Sequence, residues 1–329
     1  MMASTGLTID EAEALVGRML DGQMPDDAIA DALVAMAERG ETAEEIAGAV
    51  RAMRARMKPV PAPAPSIDVC GTGGDGQHSL NVSTAVALVV AACGVPVAKH
   101  GNRAASSKAG GADTLESLGL DLGKAGAMAA ETLPDLSIAF LFAQSHHPAL
   151  ARIAPIRRSL GRRTIFNLTG PLANPAGVTR QLVGVASPAL VLLYAQAMRD
   201  LGTERALVVS GHEGLDELSI AGPSRTAAIG FDFPDEVTPE DAGLPFHPLE
   251  AIRGGDASYN AAALRDLLAG AEGAYRDAVV LNAAAALIVA GEARTLREGA
   301  EDAAEAIDKG LAKALLDCWI RTVNSGTCA

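Results

Sequence analysis

The sequence predicts an α/β protein with a small N-terminal helical domain and a larger domain whose mostly parallel central sheet is flanked by helices. Three observations predict it. Residues up to 57 carry apolar side chains at helical spacing. From residue 66 onward, short apolar runs alternate with helical stretches, the rhythm of βαβ units. The composition, 49% hydrophobic but only 3% aromatic with 34 glycines in 329 residues, suits helices laid closely on a parallel sheet better than an all-β sandwich.

In the first unit Ile29, Leu33, Met36 and Ala37 recur at helical spacing, as do Ile46, Val50 and Met53. Thr8 with Glu11, and Thr42 with Glu45, read as capping boxes. The run from Lys58 to Pro65 places proline at every second position, which excludes a helix or a central strand. The division expected is therefore a helical domain with its linker over 1–65 and an α/β domain over 66–329. Strands are expected at Ile67–Val69, Val95–Ala98, Ser137–Leu141, Leu182–Val185, Ala206–Val209 and Ala227–Ile229. Ser83 to Cys93 reads as a helix closed by Gly94, and Tyr259 to Ile320 as mostly helical. The segment 146–177 breaks the rhythm and is a candidate return to the helical unit, which would set a ligand cleft between the domains. His146-His147-Pro148 is expected to start its helix, with Pro148 in the first turn.

A formal net charge of −13 argues against nonspecific binding to nucleic acid or to an anionic membrane. Cys70, Cys93, Cys318 and Cys328 show no metal-finger spacing, so reduced thiols are expected rather than a zinc site or disulfide framework. The N-terminus lacks the features of a signal peptide and no apolar run of about 20 residues occurs, so a cytoplasmic protein is expected.

The chemistry concentrates in three stretches. Gly71-Thr-Gly73-Gly74-Asp75-Gly76, then Asn81-Val82-Ser83-Thr84, then Lys99 through Ser107 bring backbone amides, hydroxyls and cations together, an inventory suited to a polyphosphate. The first run also satisfies G-x-G-x-x-G, but a dinucleotide site wants an acidic residue after the next strand, where Lys99-His100 stands instead. Lys99, Arg103 and Lys108 lie together on an acidic protein, an arrangement that calls for an anion. Asp216-Glu217 suits magnesium, which takes one or two carboxylates, waters and phosphate oxygens. Arg157 offers a guanidinium fork for a carboxylate, and Asn102 a donor and an acceptor for a second ligand. No nucleophile-elbow, zincin or Walker sequence appears.

Taken with Asn167-Leu-Thr-Gly-Pro-Leu-Ala-Asn174-Pro and Gly214-Leu-Asp-Glu-Leu-Ser219, these motifs resemble those of the anthranilate phosphoribosyltransferase family across essentially the whole chain. The resemblance implies transfer of phosphoribose from phosphoribosyl pyrophosphate (PRPP) to anthranilate in tryptophan synthesis, by a magnesium-dependent homodimer joined through the helical domain. It further implies that PRPP is held by Gly71, Gly74, Asp75, Ser79, Asn81, Val82, Ser83, Thr84, Lys99, His100, Gly101, Asn102, Arg103, Ala104, Ala105, Ser106, Ser107 and Gly111. Anthranilate would meet Gly71, Asn102 and Arg157, and Mg2+ would meet Ser83, Asp216 and Glu217. Two positions depart from the family pattern: Ser79 stands where threonine is usual, and Gly111 where a serine often contacts the donor phosphate. No strong general base is found, and none is needed, because an aromatic amine is already neutral at pH 7. The competing readings are a pyrimidine nucleoside phosphorylase-like enzyme, a non-catalytic nucleic-acid-binding paralogue and an NAD(P) oxidoreductase.

Overall fold

The structure is a computed structural model that describes residues 6–104 and 108–326. Helices α1 (Ile9–Leu20), α2 (Asp26–Arg39) and α3 (Ala43–Arg54) open the chain. Both expected capping boxes are present, with Glu11 returning to Thr8 and Glu45 to Thr42. Glu45 is fully buried yet satisfied, since it also accepts the Leu7 N–H at 3.0 Å and pairs with Arg39.

The main unit then runs β1 (Ile67–Gly71), α4 (Val82–Ala92), β2 (Val97–Gly101), α5 (Gly111–Ser117), α6 (Leu122–Ala127), α7 (Ala129–Leu136), β3 (Ile138–Phe142), α8 (Ala143–His146) and α9 (Leu150–Leu160). It continues with β4 (Arg180–Gly184), α10 (Val191–Asp200), β5 (Arg205–Gly211), β6 (Ser224–Ile229), β7 (Glu236–Val237), α11 (Ala257–Leu268), α12 (Ala274–Ala290), α13 (Leu296–Asp308) and α14 (Leu311–Ser325). All six expected strands form. The seventh, β7, is two residues long and too short to show an alternating pattern.

The sheet has the order β3-β2-β1-β4-β5-β6-β7, parallel through β5 and antiparallel beyond it. Successive strand residues serve opposite faces. Leu207 and Val209 join the core built with α4, α12 and α13, whereas Ala206 and Val208 join the core that holds α1 to α3 and α10. The apolar interior of the N-terminal helices is thus continuous with one face of the sheet. Strand order reverses between β1 and β4, and in such sheets the crevice at the carboxyl ends of the reversing strands is where ligands bind.

The segment 146–177 packs against the N-terminal helices. Helix α9 lies on α1 and α2, the Lys58 N–H donates to the His146 carbonyl at 2.8 Å, and Arg162 pairs with Glu38 at 3.1 Å. The expected helix start is corrected: His146 ends α8, and Pro148 lies in a turn ahead of α9, whose first residue is Leu150. The Leu150 and Ala151 N–H groups close that turn on His147 and Pro148 carbonyls, so the proline precedes the helix instead of opening it. The expectation of four reduced thiols also needs correction, because Cys70 and Cys93 are free but Cys318 is disulfide-bonded. A single bridge leaves no spacing signature in a sequence. Among the described residues no helix is long and apolar enough to cross a membrane.

Candidate active site

Gly71 and Gly184 are register partners at the carboxyl ends of β1 and β4, on the two sides of the switch point. The loop after β5 crosses directly over them. A Cβ on Gly71 would strike the Asp216 carboxylate, and one on Gly184 would strike the Asp216 backbone carbonyl. The absence of two side chains therefore opens the slot that Asp216 occupies. Once there, Asp216 Oδ2 accepts the Gly73 N–H at 2.7 Å, and Gln77 Nε2 donates to the Glu213 carbonyl at 2.8 Å. The glycine turn itself needs its residue type, with φ of +69° at Gly73, +74° at Gly74 and +74° at Gly76.

These contacts create an acidic corner. Burial, and then the neighbouring Asp75 carboxylate, push Asp216 up to about 7. Burial, and then Asp216, push Glu217 well above the usual range, while Lys99 pulls it back and the Ser83 backbone N–H donates to it. One oxygen of Asp75 is buried without a partner. Ser83, Asp216 and Glu217 are thus gathered at one place. Among the described residues no group of three or more His, Cys, Asp or Glu side chains forms a metal site by itself. Two crowded carboxylates, a hydroxyl and an unpartnered carboxylate oxygen fit a hard dication that also binds substrate oxygens and water.

The basic loop is different. Lys99 is 5% exposed, and its Nζ donates to the Val69 carbonyl at 2.8 Å and to Ser83 Oγ at 3.2 Å. Arg103 pairs with Asp113 at 2.9 Å and with Glu116, and lies over the Phe142 ring. His100 is pushed down to about 3, by burial first and His147 second, and its Nδ1 meets the Gly170 carbonyl at 3.0 Å. It is neutral at pH 7 and adds no positive charge beside Lys99. Asn102 is exposed, its Oδ1 accepting the Arg103 N–H at 2.8 Å. Ala105, Ser106 and Ser107 lie outside the described residues.

Gly111 opens α5, and a Cβ there would stand 2.7 Å from Thr84 Oγ1, so a side chain would crowd the start of α4. Ser79 forms an isolated bridge with Arg253, and the Leu80 N–H donates to Ile252 at 2.8 Å, which fixes the approach to Asn81. Arg157 sits half-buried on α9, over the Phe166 ring and 3.4 Å from Asn167 Oδ1. Burial lowers its guanidinium from the ordinary value. No hydrogen bond joins it to Gly71 or Asn102. A surface hollow of about 600 Å³ among Glu116, Asp121, Lys124 and Asn324 holds none of these groups.

Several residues that frame the site were missed by sequence reasoning. Gly184 is one. Asn282 is fully buried on α12 and clamps the backbone of Leu218, accepting its N–H at 2.8 Å and donating to its carbonyl at 3.0 Å. Its signal was legible as a lone amide in an otherwise apolar helical run. Asp68, fully buried, binds the His100 N–H at 3.1 Å and Asn174 Nδ2 at 2.7 Å, locking β1 to β2 and to the 167–175 loop. Arg163 places Nη1 4.0 Å from where a Cβ on Gly74 would lie, with no ion pair among the described residues.

Residues 64–313 match the glycosyl transferase family, a/b domain, and residues 2–57 match the glycosyl transferase family, helical bundle domain. The anthranilate phosphoribosyltransferase of Novosphingobium aromaticivorans is 66% identical over 312 residues, 94% of each chain. The chain belongs to the anthranilate phosphoribosyltransferase family. The crystal structure of that enzyme from Thermus thermophilus superposes with a TM-score of 0.93 at 43% identity, over 98% of this chain and 97% of the other. The Saccharomyces cerevisiae enzyme in complex with PRPP and Mg gives 0.87 at 30% identity, over 96% and 93%. The same yeast enzyme in complex with 4-fluoroanthranilate also gives 0.87, at 27% identity over 97% and 94%.

Proposed function

We propose that this chain transfers the 5-phosphoribosyl group of PRPP to the amine of anthranilate, with Mg2+, giving N-(5-phosphoribosyl)anthranilate and pyrophosphate in tryptophan synthesis. The observation that carries the reading is the seating of Asp216 on the Gly73 N–H through the Gly71/Gly184 slot, at the sheet's switch point. That contact joins a glycine turn fit for phosphate to carboxylates that need a counter-cation.

In this reading Gly71, Gly74, Asp75, Ser79 and Asn81 through Thr84 receive the donor, and the Lys99–Ser107 loop and Gly111 complete the cradle. The loop does so through its backbone and hydroxyls, since Arg103 is held by Asp113 and Glu116. Ser83, Asp216 and Glu217 hold magnesium, which when bound neutralises charge on the departing pyrophosphate. Asn102 and Arg157 orient anthranilate with Gly71, the guanidinium taking its carboxylate. The neutral amine attacks C1′ without prior proton loss, so the residues contribute positioning and charge stabilisation rather than base catalysis. The protein acts in the cytoplasm as a homodimer joined through its N-terminal helices.

The test is direct. Anthranilate fluorescence falls when protein, PRPP and Mg2+ are combined and stays constant when any one is omitted; constancy in the full mixture sinks the proposal. Arg157→Ala raises the anthranilate KM by about tenfold or more and leaves the PRPP KM within about twofold. Phosphorolysis of thymidine or uridine in place of that reaction would favour the nucleoside phosphorylase reading.

A further inference from the structure

Asn81 stands at the N-cap of α4, and asparagine there ordinarily turns its side-chain oxygen onto the first-turn amides. Here it does not: the cap residue has φ −74° and ψ 72° and makes no side-chain cap hydrogen bond. Its Oδ1 accepts instead from Thr114 Oγ1 on α5 at 2.5 Å and from Asn260 Nδ2 on α11 at 2.9 Å. Its Nδ2 donates to the Ala109 carbonyl at 3.2 Å. Thr114 is 0% exposed and Asn260 2%, and Asn260 is itself fixed by the Gly255 N–H, which donates to its Oδ1 at 2.8 Å. The Asn81 carbonyl is held as well, by the Tyr275 hydroxyl at 3.2 Å and the Ala85 N–H at 3.2 Å.

Buried polar groups are costly unless paired, so this network fixes one rotamer of Asn81. The consequence falls on α4. The Ser83 N–H goes to Glu217, and the Thr84 N–H meets no acceptor among the described residues. A helix whose own cap is drawn aside keeps a donor for an outside anion.

We propose that Thr114 and Asn260 are positioning residues for the phosphoribosyl donor, holding the Asn81 carboxamide off its own helix so that the first turn of α4 stays open to a phosphate oxygen. This rests on the donor-binding reading above. Neither side chain touches the donor; both act through Asn81. Losing the Thr114 hydroxyl leaves Asn81 Oδ1 with a single donor and lets the carboxamide swing onto the Thr84 N–H, where it competes with phosphate.

Thr114→Val keeps the branched shape and replaces the hydroxyl with a methyl group that cannot donate. Donor affinity is read by titration calorimetry with PRPP and Mg2+ and as the PRPP KM, alongside the anthranilate KM and Tm. Thr114→Val is expected to weaken PRPP about tenfold with the anthranilate KM unchanged, and Thr114→Ser, which returns the hydroxyl, to recover most of the loss. In an Asn81→Ala background Thr114→Val has no further effect on PRPP. The inference is overturned if Thr114→Val binds PRPP as the parent protein does, if it lowers Tm while raising both KM values alike, or if its effect persists without Asn81. A parent protein that binds no PRPP overturns the donor reading itself, and this inference with it.

Discussion

Two charged regions border the same crevice, and they are in opposite states. The basic loop after β2 has settled most of its charge within the protein: Lys99 is buried against a carbonyl and Ser83, Arg103 lies between Asp113 and Glu116, and His100 is neutral, while Lys108 stays exposed. The acidic corner has not. Asp75, Asp216 and Glu217 crowd one another, two of them are pushed up from the carboxylate range, and one Asp75 oxygen has no partner. A compensated region contributes shape, whereas an uncompensated one stores free energy that a bound cation and its phosphates release. Clustered charge in a sequence does not reveal which of the two it is.

The strongest way to break the acidic corner is to close the slot beneath it. Gly184→Ala puts a Cβ into the Asp216 backbone, and the loop must move. We expect kcat to fall about 100-fold, and Mg2+ to lose its effect on PRPP affinity, because misplacement by about 1 Å is enough for such a loss. Steady-state kinetics at several Mg2+ concentrations check this, and an unchanged magnesium response would show that Asp216 is not held through Gly184.

A second effect is smaller and follows from the sign of one shift. Asp216 titrates near 7 in the folded chain, against about 4 in an unfolded one, so between those values the folded state holds the extra proton. The ligand-free protein should therefore gain stability as pH falls from about 7 towards 5, measured as Tm, while PRPP affinity with Mg2+ declines over the same range. Glu217, also pushed up, contributes in the same direction, so Asp216→Asn should weaken the Tm trend without abolishing it; an undiminished trend would assign it to another group.

The smallest effect is expected in the basic loop. Arg103→Ala removes exposed ion pairs worth about 1 kcal/mol or less each, so Tm should drop slightly and the PRPP KM should stay within about threefold. A rise beyond about tenfold would mean that Arg103 leaves its carboxylates for the donor, erasing the contrast between the two regions.

Much of the fold was legible because its signals are local. Helical spacing, capping boxes at Thr8 and Thr42, and six apolar strands can each be read within a few residues, and the structure contains them. The candidate site was legible as a set of motifs, of which the structure brings Ser83, Asp216 and Glu217 together. Its frame was not. Asn282, Thr114 and Asn260 act on partners 64, 33 and 179 residues away, and no short-range pattern marks such a pair. The Asn81 side chain shows the limit well: its type predicts a helix cap, and only its buried neighbours turn it aside.

By itself, then, the amino-acid order determined the element types, the left-handed turn at Gly73 to Gly76 and the stock of polar groups around it, since each depends on a residue and its immediate neighbours. Tertiary structure alone decided which charges remain free and where Asp216 lands, 143 positions from the amide it binds. The reason is that desolvation and pairing are properties of what surrounds a group in space, and the sheet's strand order brings together residues the chain keeps far apart.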